Sequence, residues 1–229
     1  RKLTGNGYRV ISIDYRLGLK GADKVGIAQV NTLDKAIHMA VEDLFSATTF
    51  IVENSEQLGT DPENIVISGS SAGAITVMQA EYEIANETQW ASVLPAGFNY
   101  AGVMSFSGAI LSREGKVDFK KSPCPTLMLH GTSDELVPYD QIKVFNLGFF
   151  GGGKLVERFK KYGLNYNMYH FTDYGHEIAG SMDTTLDLQL KFLETNVMQK
   201  KMRIVEAWIS DPDVFKGSGP QSRKELYGN

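Results

Sequence analysis

Ile65-Val66-Ile67-Ser68-Gly69-Ser70-Ser71-Ala72-Gly73 is the stretch from which the rest of the chain can be read. The apolar, β-branched run up to Ser68 follows the turn signal Asp61-Pro62-Glu63-Asn64, a pattern that predicts a buried strand. Gly69 to Gly73 then fit G-x-S-x-G, and a helical stretch runs on from Ala74 to Ala85. Strand, sharp corner and helix in that order hold a serine in a strained backbone conformation with its hydroxyl exposed. The helix N-terminus aims the N–H of Ala72 at any negative charge that develops beside Ser71. Gly69 and Gly73 are expected to be required, because a Cβ at either would meet the neighbouring strand or helix. Ser70 shares the motif, but the glycine spacing favours Ser71.

Outward from this corner, short apolar runs alternate with stretches of helical spacing. Strands are predicted at Tyr8 to Asp14, Tyr100 to Phe106, Thr126 to His130 and Asn165 to Phe171. Helices are predicted from Gln29 to Asn54, around Gly153 to Tyr162 and over Thr184 to Ile209. Strands separated by helices of this length imply an α/β fold with a mostly parallel sheet and helices on both faces. One catalytic domain over residues 1–210 is expected, followed by an irregular extension at 211–229 rich in Pro and Gly.

Composition narrows the partners. Among 229 residues, 42% are hydrophobic and 22% charged, the balance of a soluble globular protein rather than a disordered one. The net charge of −4 comes with scattered Lys and Arg, so there is no footprint for nucleic acid or an anionic membrane. No stretch has the apolar length of a membrane span. Residues 1–15 lack the pattern of a signal peptide, yet the chain starts at Arg1 in what reads as a helix end. Upstream residues are therefore expected, and the compartment stays open between cytoplasm and exterior. Cys124, the single cysteine, lies between two prolines and reads as a buried structural thiol.

A serine hydroxyl is a weak nucleophile and needs a base, for which the chain offers four histidines. His38 falls inside the long helix, His130 ends a strand, and His170 lies within another strand. His176 alone sits in a loop after the last predicted strand, where Gly175 is expected to give the backbone freedom to turn the ring toward the corner. The base in turn needs a carboxylate to fix its tautomer and stabilise its charged form. Asp134 directly follows the strand at Thr126, at the carboxyl end where α/β sheets bind ligands. Glu135 and Asp173 remain alternatives to it.

The order Ser71, Asp134, His176, together with Val10-Ile11-Ser12-Ile13-Asp14-Tyr15-Arg16-Leu17, the Ser71 corner, His130-Gly131-Thr132-Ser133-Asp134-Glu135-Leu136-Val137-Pro138 and Tyr174-Gly175-His176, resembles the carboxylesterase and lipase branch of the α/β-hydrolase fold. The resemblance implies a serine hydrolase with Ser71, Asp134 and His176 as triad, Ala72 in the oxyanion hole, no cofactor and a small ester as substrate. Small or medium esters are expected, acylated carbohydrates among them. A peptidase or amidase of the same fold and a non-catalytic binding module are the alternatives. One departure stands out: no His-Gly-Gly segment precedes Asp14-Tyr15-Arg16. If Tyr8 to Asp14 is a sheet strand, the one that separates it from the strand at Ile65 in the family is missing. An upstream segment or another copy of the chain, as in a homo-oligomer, is then expected to complete the sheet.

Gly148-Phe149-Phe150-Gly151-Gly152-Gly153-Lys154 has P-loop spacing, but Leu155 replaces the magnesium-binding hydroxyl and no clear strand precedes it. It reads instead as a loop entering a helix, with Phe149 and Phe150 either lining an apolar pocket or filling core. Tyr15 and Val137 are the other pocket candidates. No His, Cys or acidic cluster has metal-ligand spacing, so no metal is expected.

Overall fold

A computed structural model describes residues 1–19 and 30–211. In chain order its strands are β1 (Val66–Ser70), β2 (Gly102–Phe106), β3 (Ala109–Ser112), β4 (Thr126–Gly131), β5 (Gln141–Val144), β6 (Leu147–Gly151), β7 (Tyr166–Phe171) and β8 (Val205–Ile209). Its α-helices are α1 (Lys2–Gly5), α2 (Val30–Glu53), α3 (Ser55–Leu58), α4 (Ala72–Ala85), α5 (Gly152–Lys161) and α6 (Leu186–Phe192). Five strands form a parallel sheet in the order β1-β2-β4-β7-β8, and β3-β6-β5 form a separate antiparallel sheet.

The strands of the main sheet alternate their side chains between two cores, as the two-residue period requires. Ile67, Val103, Met128, Tyr166 and Met168 enter one core with α2, α4 and α5, represented by Val41, Phe45, Val77, Met78, Leu155 and Phe159. Met104, Phe106, Leu127, Leu129 and Phe171 enter the other with Ile178, Phe192, Leu193 and Val197. Every residue of β2, β4 and β7 is therefore buried, which explains why these strands read as continuous apolar runs rather than alternating ones. All parallel strands point their carboxyl ends the same way, and Ser71, Asp134 and His176 follow β1, β4 and β7 at that end.

Three expectations need correction. The predicted helix at Thr184 to Ile209 ends early: α6 passes into a π-helical turn at Leu193–Met198, and β8 follows. The chain leaves the helix at Lys200, whose φ is +50°, a left-handed conformation usually given to glycine. No glycine marks the stop, and the apolar residues beyond it look like a continued helix face. Tyr8 to Asp14 forms no strand. Its backbone is irregular, Val10 and Ile11 are exposed, and Tyr8 and Ile13 pack on opposite cores. A β-branched run becomes a strand only beside a partner, and this one pairs with nothing among the described residues. It is therefore not a sheet neighbour of β1, and β1 is an edge strand among the described residues.

Phe149 and Phe150 lie in β6, not in a loop: the separate antiparallel sheet was not legible in strands of four and five residues, of which β6 carries two glycines. Apart from Asp211, the expected extension at 211–229 lies outside the described residues.

Candidate active site

Ser71 occupies the corner between β1 and α4 with φ +52° and ψ −118°, a conformation that a non-glycine residue holds only when its surroundings enforce it. The enforcement is visible. The Ser71 N–H donates to the Phe106 carbonyl (2.9 Å), and the Ser71 carbonyl accepts from Ile75 N–H (3.0 Å) as the first bond of α4. A Cβ on Gly69 would lie 2.6 Å from the Ala74 nitrogen and closer still to the Gly73 carbonyl, so the first flanking glycine is required by close approach. The second is not: a Cβ on Gly73 would meet no atom within 4 Å among the described residues, which corrects the expectation of a clash there. Ala72 is exposed and opens α4, where the backbone N–H has no partner within the helix. That N–H and the helix dipole together make a site for negative charge beside Ser71.

Ser71 Oγ lies 2.8 Å from His176 Nε2, and His176 Nδ1 lies 2.8 Å from Asp134 Oδ2. The sequence thus selected three side chains that the fold brings into one hydrogen-bonded row. His176 begins a 3-10 turn, His176–Gly180, after β7 and is 11% exposed. Gly175, at φ −96° and ψ −142°, lies outside the extended region, and the left-handed position in this loop is Asp173 at φ +63°. The Asp173 N–H donates to Thr132 Oγ1 (2.9 Å), tying the histidine loop to the acid loop. The Asp173 and Glu135 side chains are exposed, and neither takes the place beside His176.

The Asp134 side chain is fully buried. Its Oδ1 accepts from the N–H groups of Leu136 and Val137, both at 3.0 Å. Burial alone would raise its carboxyl, but the hydrogen bonds from His130 and His176 outweigh that and hold it well below the usual carboxylate range. Asp134 is therefore ionised across the neutral range, ready to stabilise an imidazolium.

Two neighbours were not foreseen. Ser70 Oγ donates to the Ala179 carbonyl (2.5 Å), so the hydroxyl next to Ser71 fastens the corner to the turn that carries His176. His130 Nε2 lies 3.4 Å from Asp134 Oδ2, and the only sequence signal was the four-residue spacing between them. Of the pocket candidates, Phe150 is buried in the core and Phe149, part-buried, packs on the same core. Val137 is buried and contributes backbone to the acid loop, while Tyr15 is half-buried in the irregular segment before Arg16. No group of three metal-ligating side chains occurs among the described residues, and no helix there is long and apolar enough to cross a membrane.

A family model described as BD-FAE matches residues 1–108. Gut esterase 1 of Caenorhabditis briggsae is 37% identical over 78 residues, which is 34% of this chain and 13% of that protein. A thermophilic esterase, Est2, from the Planctomycetes species Thermogutta terrifontis, solved with propionate bound, superposes with a TM-score of 0.51 at 23% identity over 69% of this chain and 65% of its own. Thermogutta terrifontis esterase 2 phosphoramylated by tabun gives a TM-score of 0.51 at 21% identity over 79% of this chain and 69% of its own. The chain thus spans about an eighth of the curated relative's length and just under two thirds of the first solved structure's. The chain has the α/β-hydrolase fold.

Proposed function

We propose that the chain carries the catalytic centre of a serine ester hydrolase, with Ser71 as nucleophile, His176 as general base and Asp134 as the acid that orients it. The observation that carries this is the row of two 2.8 Å contacts from Ser71 Oγ through the His176 ring to Asp134. Ser71 attacks the ester carbonyl while its proton passes to His176 Nε2, and the imidazolium so formed faces the ionised Asp134. The developing oxyanion accepts from the Ala72 N–H at the start of α4. His176 then returns the proton to the departing alcohol, and water releases the acid by the same steps.

Small or medium esters suit the site, acylated carbohydrates among them. In support, Ala72 is exposed, and the short connection between β2 and β4, which includes β3, has no room for a large cap. The propionate bound by the Thermogutta terrifontis esterase is a short acid of the kind expected here.

Hydrolysis of p-nitrophenyl esters from acetate to palmitate, by the wild-type chain and by Ser71→Ala, tests the proposal. Activity highest on the short esters and lower by about 10⁴-fold or more in the variant is the expected result. Equal rates from both proteins would remove Ser71 from the chemistry.

A further inference from the structure

We infer that His130 is a positioning residue for the acid of the triad, holding the Asp134 carboxylate in the orientation that His176 needs. The inference deepens the triad proposed above and depends on it.

His130 lies near the carboxyl end of β4 and is 1% exposed, so both ring nitrogens must find partners inside the protein. Nδ1 is 3.2 Å from the N–H of Gly152, the first residue of α5. A backbone N–H can only donate, so Nδ1 is the acceptor and the ring proton sits on Nε2. Nε2–H faces two oxygens at once: the Val137 carbonyl at 3.1 Å and Asp134 Oδ2 at 3.4 Å. The first is the stronger bond and the second a charge-assisted contact to the oxygen that also receives His176. Oδ1 is fixed by Leu136 and Val137 N–H. The carboxylate therefore has donors on both oxygens, and His130 spans the loop from Asp134 to Val137.

The platform beneath this loop accounts for the glycine run that resembled a P-loop. A Cβ on Gly151 would lie 2.6 Å from the Tyr139 carbonyl and closer to that of Pro138. One on Gly152 would lie 3.0 Å from His130 Nδ1, and one on Gly153 would lie 2.7 Å from Tyr139 Cζ. Three consecutive residues without side chains let the start of α5 sit flush on the acid loop and bring the Gly152 N–H to His130. Gly153 N–H also donates to the Tyr139 carbonyl (2.8 Å), and the Tyr139 hydroxyl hydrogen-bonds with His170 Nδ1 (2.7 Å), which fastens the far end of the loop to β7. A second histidine tied to the platform and to the acid is what keeps Asp134 aimed while His176 changes charge.

The test compares His130→Leu, His130→Gln and His130→Asn with wild type, alone and in the Asp134→Asn background, by kcat, KM and the pH profile of kcat/KM. Leu removes the donor, Asn keeps an acceptor for Gly152 but has no reach to Asp134, and Gln restores an N–H at the ε position. For Leu and Asn, kcat is expected to fall about 10- to 100-fold at nearly constant KM. The acid limb of kcat/KM is expected to move to lower pH, because a misaligned carboxylate stabilises the imidazolium less. Gln is expected to recover most of kcat. In the Asp134→Asn background the His130 changes are expected to cost little more, since both act through one carboxylate. Wild-type kcat and acid limb in Leu, or equal losses in Leu and Gln with an unmoved acid limb, would overturn the inference. If Leu does not fold, the contrast of Asn with Gln decides by the same criteria. Full activity in Asp134→Asn would instead sink the triad itself, which keeps the two failures apart.

Discussion

Replacing each glycine of the Ser71 corner by alanine in turn separates a steric requirement from a mere motif. At Gly69 the new Cβ would sit 2.6 Å from the Ala74 nitrogen, which must retreat by about 0.8 Å to reach ordinary contact at 3.4 Å, and the nearer Gly73 carbonyl by more. The atoms in the way belong to the first turn of α4 and cannot swing aside as a side chain could. Overpacking of this kind costs about 1–3 kcal/mol or more. At Gly73 nothing lies within 4 Å among the described residues, and φ is not in the left-handed range. Gly73→Ala in the first turn of a helix should instead gain about 0.4–1 kcal/mol by restricting the unfolded chain. The two variants should therefore differ by about 1.4–4 kcal/mol in urea denaturation, a gap on the order of 5–10 °C in Tm. Ester hydrolysis should separate them too, since a shift near 1 Å at the nucleophile costs about 10²-fold in rate. Equal stability and equal activity in the two variants would refute the close-approach explanation of the corner.

Three further perturbations probe buried polar groups. His38 on α2 lies 3.3 Å from Glu83 on α4 and stacks on Trp90 at 4.3 Å. Burial opposes the charge on each, but their mutual bonds win, raising the His38 imidazolium and lowering the Glu83 carboxyl, the latter with help from Thr88 and Gln79. The His38 contribution is full below about pH 6.5 and fades as pH rises through its folded value, whereas that of Glu83 fades as pH falls through its own. His38→Leu should therefore cost about 1.5–3 kcal/mol at pH 5.5 and clearly less at pH 8.5, a difference that Tm at the two pH values measures. Glu81 behaves oppositely: burial pushes it up to about 7, and its Oε1 accepts from Cys124 N–H at 2.7 Å. Its charged form is the disfavoured one, so stability is lost as pH rises from the unfolded carboxyl range to about 7. Glu81→Gln should raise Tm at pH 8 and leave it nearly unchanged at pH 4. Ser70→Ala removes the 2.5 Å bond to Ala179 and should cost about 1 kcal/mol. A fall in kcat on the order of 10-fold at constant KM should accompany it, and unchanged kcat would show that the Ser70 tie does not position His176.

What was legible in the sequence follows from where chemistry coincides with punctuation. The Ser71 corner could be read because strand, glycine motif and helix occur without interruption from Ile65 to Ala85. Asp134 and His176 could be read because each stands just past a strand end, where parallel sheets gather their functional loops. His130 and Ser70 could not: their importance lies in which carbonyl or carboxylate the fold sets beside them, and no spacing rule encodes that. β8 was hidden because Lys200 stops the helix in a glycine's conformation. β3, β5 and β6 were hidden because four- and five-residue antiparallel strands bear little periodicity, and the glycines of β6 look like loop. Conversely, Tyr8 to Asp14 has strand composition without a strand partner, a reminder that β propensity describes a fit to neighbours.

The central claim is that Ser71 is a nucleophile activated by His176. Incubating the chain with a fluorophosphonate ester and locating the adduct by peptide mass spectrometry tests it most directly. One phosphonyl group per chain on Ser71, formed rapidly in wild type and slowed by orders of magnitude in His176→Ala, is the expected result. Labelling at another residue, or labelling of Ser71 at the same rate without His176, would contradict it.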